Sequence, residues 1–133
     1  MKVAVIGTGY VGLTTGAALA HIGHAVSCVD VDEEKVRQLR HGICPIYEPG
    51  LGDVLAGNKH NLRFTTSCRD AVQDADVVFI AVGTPSNPDG SPDLRDLFGA
   101  VNEVLDILRV KSTPTLLVNK STVPVGTGQR VKE

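Results

Sequence analysis

The sequence predicts an α/β domain, a doubly wound and mainly parallel sheet with helices on both faces, and three observations point there. Short apolar, β-branched runs recur along the 133 residues. Stretches with helical spacing of apolar residues separate them, at the intervals of βαβ units with right-handed crossovers. A glycine cluster joins the first run to the first helical stretch. The length suits one domain and is short for two.

Residues 2–6, Lys-Val-Ala-Val-Ile, read as a buried strand, and residues 25–29, 77–82 and 115–118 as its companions. The first and the 77–82 run are apolar almost throughout, as parallel strands covered on both faces should be. Residues 62–65 are shorter and more polar, which suits an edge strand. Leu13, Gly16, Ala17 and Ala20 recur at helical spacing and form a narrow face of small residues. Val36, Leu39 and Ile43 repeat the pattern in a second helix, with Asp32 as its N-cap. Leu94, Leu97, Phe98, Val101, Leu105 and Leu108 make the longest stripe, and Asp93 is placed to cap it. A further short helix is expected through residues 67–72. Residues 126–133 read as the opening turns of a helix that stops short, so the chain is expected to be the N-terminal part of a longer protein.

Composition narrows the functional classes. The chain is 42% apolar and 21% charged, with a formal net charge of -2. That balance leaves no basic footprint for nucleic acid and no polybasic membrane patch. No run reaches the ~18 to 20 apolar residues of a membrane span, and residues 1–6 lead straight into a strand rather than a secretory leader. Cys28, Cys44 and Cys68 lack metal-ligand spacing, so no metal is expected, and reduced thiols in a cytoplasmic protein are the simplest reading. The four histidines have no carboxylate or cysteine partners at useful spacing, and no Ser/His/Asp set or Walker lysine can be assembled.

The motif with chemical content is Gly7-Thr8-Gly9-Tyr10-Val11-Gly12. A G-x-G-x-x-G that follows a strand and opens a helix is the dinucleotide-binding fingerprint of the Rossmann type. Gly7 would make the tight turn, Gly9 would let the backbone approach a pyrophosphate, and Gly12 would allow close packing of helix on strand. The helix N-terminus presents free N–H groups to the anion. Asp30 closes the second strand, where the fingerprint places an acid on the adenosine ribose. A carboxylate there repels a 2′-phosphate, which favours NAD over NADP. Lys35, one turn further on, reaches toward the same ribose or is a solvated surface lysine. Thr84 follows the fourth strand, and Ser121 and Thr122 follow the fifth. All three fall at the carboxyl edge, where ligands of such sheets bind; a turn that merely caps the next helix is the competing view for the last two.

With these segments in place the chain resembles the UDP-glucose/GDP-mannose dehydrogenase family. The matching segments are Gly7-Thr-Gly-Tyr-Val-Gly12, Val29-Asp-Val-Asp32 with Lys35, and Pro45-Ile-Tyr-Glu-Pro-Gly-Leu51. Val82-Gly-Thr-Pro85, Asp89-Gly-Ser91 with Asp93-Leu94, and Lys120-Ser-Thr-Val-Pro-Val-Gly-Thr127 follow in family order. The resemblance covers residues 1–133 and implies their role as an NAD-binding domain. It also implies a four-electron oxidation of a nucleotide sugar, primary alcohol to carboxylate, with two NAD used in turn and a cysteine capturing the aldehyde. By motif, Gly9, Tyr10, Val11 and Gly12 would hold the pyrophosphate, and Asp30 and Lys35 the adenosine ribose. Thr84, Ser121 and Thr122 would approach the nicotinamide, and Thr122 would order catalytic water. The catalytic cysteine of such enzymes lies in a later motif, and none of the three cysteines matches it. The chain alone should therefore bind cofactor and catalyse nothing, while the whole enzyme is expected to be a homo-oligomer. Residues 83–94 look most like the UDP-glucose branch; the GDP-mannose and N-acetylmannosamine branches, or a standalone NAD-binding regulatory module, are the alternatives. The segment at residues 45–51 has no derivable ligand role, and pinning a loop and starting a helix suits it as well.

Overall fold

The computed structural model describes residues 1–133. Five strands, β1 (Lys2–Ile6), β2 (Ala25–Val29), β3 (Leu62–Thr65), β4 (Val77–Ile80) and β5 (Leu116–Asn119), form one sheet in the order β3-β2-β1-β4-β5. Every pairing is parallel; Val3 lies opposite Val26 on one side and Val77 on the other. The order reverses between β1 and β4, which makes their carboxyl ends the topological switch point. Residues 81 and 82, read from sequence as strand, fall outside β4, and β5 begins one residue later than the apolar run suggests.

Helices α1 (Tyr10–His21), α2 (Glu33–Arg40) and α3 (Leu51–Gly57) accompany the first crossovers, and α4 (Cys68–Val72), α5 (Arg95–Leu108) and α6 (Thr127–Lys132) the later ones. The core divides accordingly. Val3, Val5, Val26 and Cys28 pack with Leu13, Ala17, Leu39 and Leu55 on one face. Ala4, Ile6, Val78 and Ile80 pack with Val72, Leu97, Val101 and Val104 on the other. Alternate residues of β1 thus serve opposite layers, which is why Val3, Ala4, Val5 and Ile6 are all apolar.

The expected N-cap of α2 is present, with the Asp32 side chain accepting from the Lys35 amide at 3.0 Å. Ile43, however, is not on that helix. Gly42 takes φ +78° and turns the chain out, leaving Ile43 54% exposed. At α5 the N-cap is Leu94 rather than Asp93, whose carboxylate instead accepts from the Arg95 amide. The buried face of α5 is Leu97, Val101, Val104 and Ile107, so the expected stripe is rotated toward two residues it omitted. The close approach of α1 to the sheet involves two glycines: at Gly16 an added Cβ would lie 2.5 Å from Cys28 Sγ. At Gly12 it would meet the carbonyl oxygen of Gly7, just past β1, at 1.9 Å and Ala81 Cβ, just past β4, at 3.4 Å, the close packing expected of this glycine.

Candidate functional site

At the switch point a cleft of about 580 Å³ opens above the ends of β1, β2 and β4. Its walls are the glycine loop at residues 7–9, Asp30 and Lys35, the Val82–Gly83 turn, and Gly99 and Glu103 of α5. Gly7 takes φ +101°, and a Cβ there would lie 2.5 Å from the Ala81 carbonyl oxygen, so only glycine turns the chain between the two strand ends. Its amide is spent on the Val29 carbonyl at 2.8 Å.

Gly9 is different. Its φ of -70° suits any residue, and an added Cβ would meet nothing within 4 Å. Nothing in the chain requires glycine there, and the space it keeps open adjoins the start of α1. That helix has no side-chain cap. The amides of Tyr10, Val11 and Gly12 find no acceptor within the chain, while Leu13 already bonds the Gly9 carbonyl at 2.9 Å. Three unpaired N–H groups at the positive end of a 12-residue helix, beside a glycine that leaves room, fit a phosphate-bearing ligand such as the pyrophosphate of a dinucleotide.

Asp30, just past β2, is bound on both oxygens. Oδ2 accepts from the Thr8 amide at 3.0 Å, the Thr8 hydroxyl at 2.6 Å and Lys35 Nζ at 3.5 Å; Oδ1 accepts from the Asp32 amide at 3.0 Å. Burial opposes ionisation of this carboxyl, but the Thr8 hydroxyl, the Asp32 and Thr8 amides and the Lys35 charge outweigh it and hold the pKa below the usual carboxylate range. Asp30 is therefore an anion facing the cleft.

Gly7, Gly9, Asp30 and Lys35 line one cavity, and Tyr10, Val11 and Gly12 stand at its rim on the first turn of α1. Thr84, Ser121 and Thr122 lie outside that lining, on the adjoining turns after β4 and β5. There the two turns are tied together: Thr84 Oγ1 donates to the Thr122 carbonyl at 2.8 Å, and Ser121 Oγ to the Val82 carbonyl at 2.8 Å. Thr122 itself is exposed.

Two site features escape sequence reasoning. Thr8 occupies a position that the glycine motif leaves free. Tyr10 donates its phenol proton to Glu48 Oε2 at 2.8 Å, and this bond, followed by the Glu48 charge, raises its pKa. The residue 45–51 segment is thus fastened to the first turn of α1 and then opens α3. Cys28 and Cys68 are pushed up to about 12, both by burial and Cys68 further by the charge of Glu103. No group of three or more His, Cys, Asp or Glu residues could hold a metal ion. A smaller depression of about 350 Å³ lies at the amino ends of the strands, where Arg63 is already engaged by Ser27 Oγ and the Asp70 carbonyl.

Comparison with known proteins agrees with this geometry. The model of the UDP-glucose/GDP-mannose dehydrogenase family, NAD binding domain, matches residues 1–133. The chain is 48% identical to the UDP-glucose 6-dehydrogenase of Pseudomonas aeruginosa over 100% of its own length and 29% of that protein. Among solved structures, a ternary complex of GDP-mannose dehydrogenase from Pseudomonas aeruginosa superposes with a TM-score of 0.95 at 38% identity, covering 98% of this chain and 30% of that one. A UDP-glucose dehydrogenase from Pyrobaculum islandicum gives 0.90 at 42% identity, covering 98% and 32%. The chain spans about a third or less of the length of each of these relatives.

Proposed function

The chain belongs to the UDP-glucose/GDP-mannose dehydrogenase family, as its NAD-binding domain, and from that premise we propose that it holds NAD for the oxidation of UDP-glucose to UDP-glucuronate. The observation that carries the binding mode is the uncapped start of α1 beside Gly9, with the Asp30 anion bonded to Thr8 of the same loop in one cleft. In this reading the amides of Tyr10, Val11 and Gly12 receive the pyrophosphate in the room left by Gly9. Gly7 holds the turn that aims them. Asp30 accepts from the adenosine ribose, and Lys35, 31% exposed and beside that carboxylate, steadies its charge. Thr84, Ser121 and Thr122 flank the nicotinamide end, with Thr122 free to order water.

NAD supplies the hydride acceptor; this chain supplies its position and orientation. The cysteine that captures the aldehyde is assigned to a later part of the enzyme. Here burial holds Cys28 and Cys68 as thiols at neutral pH, so neither supplies the thiolate that nucleophilic attack needs. The preference for UDP-glucose over GDP-mannose is supported by the residue 83–94 motifs and by relatives of that name at 46% and 48% identity. The enzyme is further proposed to work in the cytoplasm as a homo-oligomer, making a polysaccharide precursor, with neither nucleic acid nor membrane as partner. No helix is long and apolar enough to cross a membrane.

The test is calorimetric titration of the chain with NAD and with NADP. NAD should bind more tightly, and Asp30→Ala should weaken NAD binding by roughly tenfold or more, the loss of one or two hydrogen bonds to a charged group. Equal affinity for the two dinucleotides would remove Asp30 from the ribose site.

A further inference from the structure

We infer that Thr8 sets the cofactor preference of this cleft by fixing the Asp30 carboxylate, as a positioning residue that need not touch the ligand. The inference rests on the reading of Asp30 as the ribose acceptor and deepens it. Thr8 sits between the first two glycines of the motif. No backbone strain dictates its identity, because no residue other than glycine takes a positive φ. Yet its side chain is polar and only 1% exposed. A buried hydroxyl needs a partner, and this one has a single partner: Asp30 Oδ2, at 2.6 Å, the oxygen that its own amide also reaches at 3.0 Å.

The arithmetic of acceptor sites gives this pair its consequence. A carboxylate offers about four lone-pair sites, two per oxygen. Thr8 supplies two donors to Oδ2 and Lys35 approaches the same oxygen at 3.5 Å, so Oδ2 is committed to the chain. Oδ1 accepts only from the Asp32 amide and keeps one site open. A ribose diol entering the cleft therefore meets one available acceptor in one orientation. A 2′-phosphate entering the same place meets a negative charge that is held from both sides and cannot turn away.

Removing the Thr8 hydroxyl takes away the shortest of these bonds and leaves Oδ2 with the Thr8 amide and the distant Lys35 ammonium, so the carboxylate is held less firmly about χ2. The ribose bond then loses its fixed geometry, and the repulsion of a 2′-phosphate relaxes. NAD binding weakens while NADP binding holds or improves. A purely structural role, tying the glycine turn to β2, predicts a different result, because a loosened turn serves both dinucleotides equally badly.

The experiment is calorimetric titration of the 133-residue chain with NAD and with NADP, for the unaltered protein and for Thr8→Val, Thr8→Ser and Asp30→Ala. Thr8→Val should cut the NAD-over-NADP affinity ratio by about tenfold, the worth of one hydrogen bond to a charged group. Thr8→Ser should restore the ratio. Thr8→Val in the Asp30→Ala background should not move it further. An unchanged ratio in Thr8→Val, or a parallel loss of both affinities, overturns the inference. If Asp30→Ala itself leaves the ratio intact, the ribose assignment is what fails. If Asp30→Ala abolishes selectivity and Thr8→Val does not, only the role of Thr8 fails. Should the valine variant not fold, Thr8→Ala carries the same test, since it too lacks the hydroxyl.

Discussion

Asp30, with its side chain 12% exposed, keeps its charge because four donors, two of them from Thr8, compensate for the water it has lost. The pH dependence follows from the lowered pKa. A carboxylate whose folded pKa lies below its unfolded value of ~3.9 adds stability that is fully present above that value and is lost as pH falls through the folded one. Urea unfolding of the chain and of Asp30→Asn should therefore show a constant stability difference from pH 7 to about pH 5, shrinking only below about pH 4. A difference already shrinking between pH 7 and pH 5 would show that the carboxyl is not held low. The position of Asp30 was legible in the sequence because the glycine motif fixes where the second strand must end. Its partners were not. Thr8 occupies a free position of the motif, and Glu48 lies 38 residues from the Tyr10 it binds, with no periodicity joining them.

At the scale of elements, the contact between α1 and the sheet depends on one missing methyl group. The Cβ of Gly16→Ala would lie 2.5 Å from the sulfur of Cys28, which is itself wholly buried. The expected cost is about 1–3 kcal/mol, the range for overpacking a tight core. Gly52→Ala in α3 is the contrast. That position is exposed, and an added Cβ meets nothing within 4 Å, so stability should rise by about 0.5–1 kcal/mol. Paired unfolding curves decide both; equal effects at the two sites would mean that the helix does not sit this close. The small-residue face of α1 announced this approach, since Leu13, Gly16, Ala17 and Ala20 share a side. The face of α5 was harder to read. Apolar residues at 94, 97, 98, 101, 104, 105, 107 and 108 surround much of the helix, and periodicity alone could not choose which half the sheet covers. Ile43 misled in the opposite way, because its spacing continued α2 past a glycine that ends it.

At the scale of the molecule, one cleft at the carboxyl end of the sheet holds the features of an NAD site, and in the function proposed above it positions a cofactor for chemistry completed elsewhere. Cofactor positioning is present here, and the capturing thiol is assigned elsewhere in the enzyme. Mixed with NAD and UDP-glucose, this chain should bind the dinucleotide and give no growth of NADH absorbance at all. Steady turnover would place the catalytic thiol within these 133 residues, where Cys44 is the one cysteine that is not buried, and would overturn its assignment to a later part of the enzyme. The parallel topology was legible because short apolar runs alternated with stretches of helical period, whereas the strand order came only with the structure. The tie between the turns after β4 and β5 was not, because it joins a hydroxyl to a backbone carbonyl that no side-chain pattern reveals.

The strand order has a consequence for how the protein breathes. β1 is flanked on both sides and its last four residues are buried, whereas β5 pairs only with β4 and none of its residues is fully buried. Amide deuteration should therefore be slowest along β1, requiring global unfolding, and faster along β5 through local opening. In the binding mode proposed above, the adenosine end of NAD would rest on the rigid middle and the nicotinamide end on the looser margin. Saturating NAD should then slow deuteration most at residues 116–122. Protection confined to β1 and β2 would mean that the ligand grips the centre and leaves the reacting end to the rest of the enzyme.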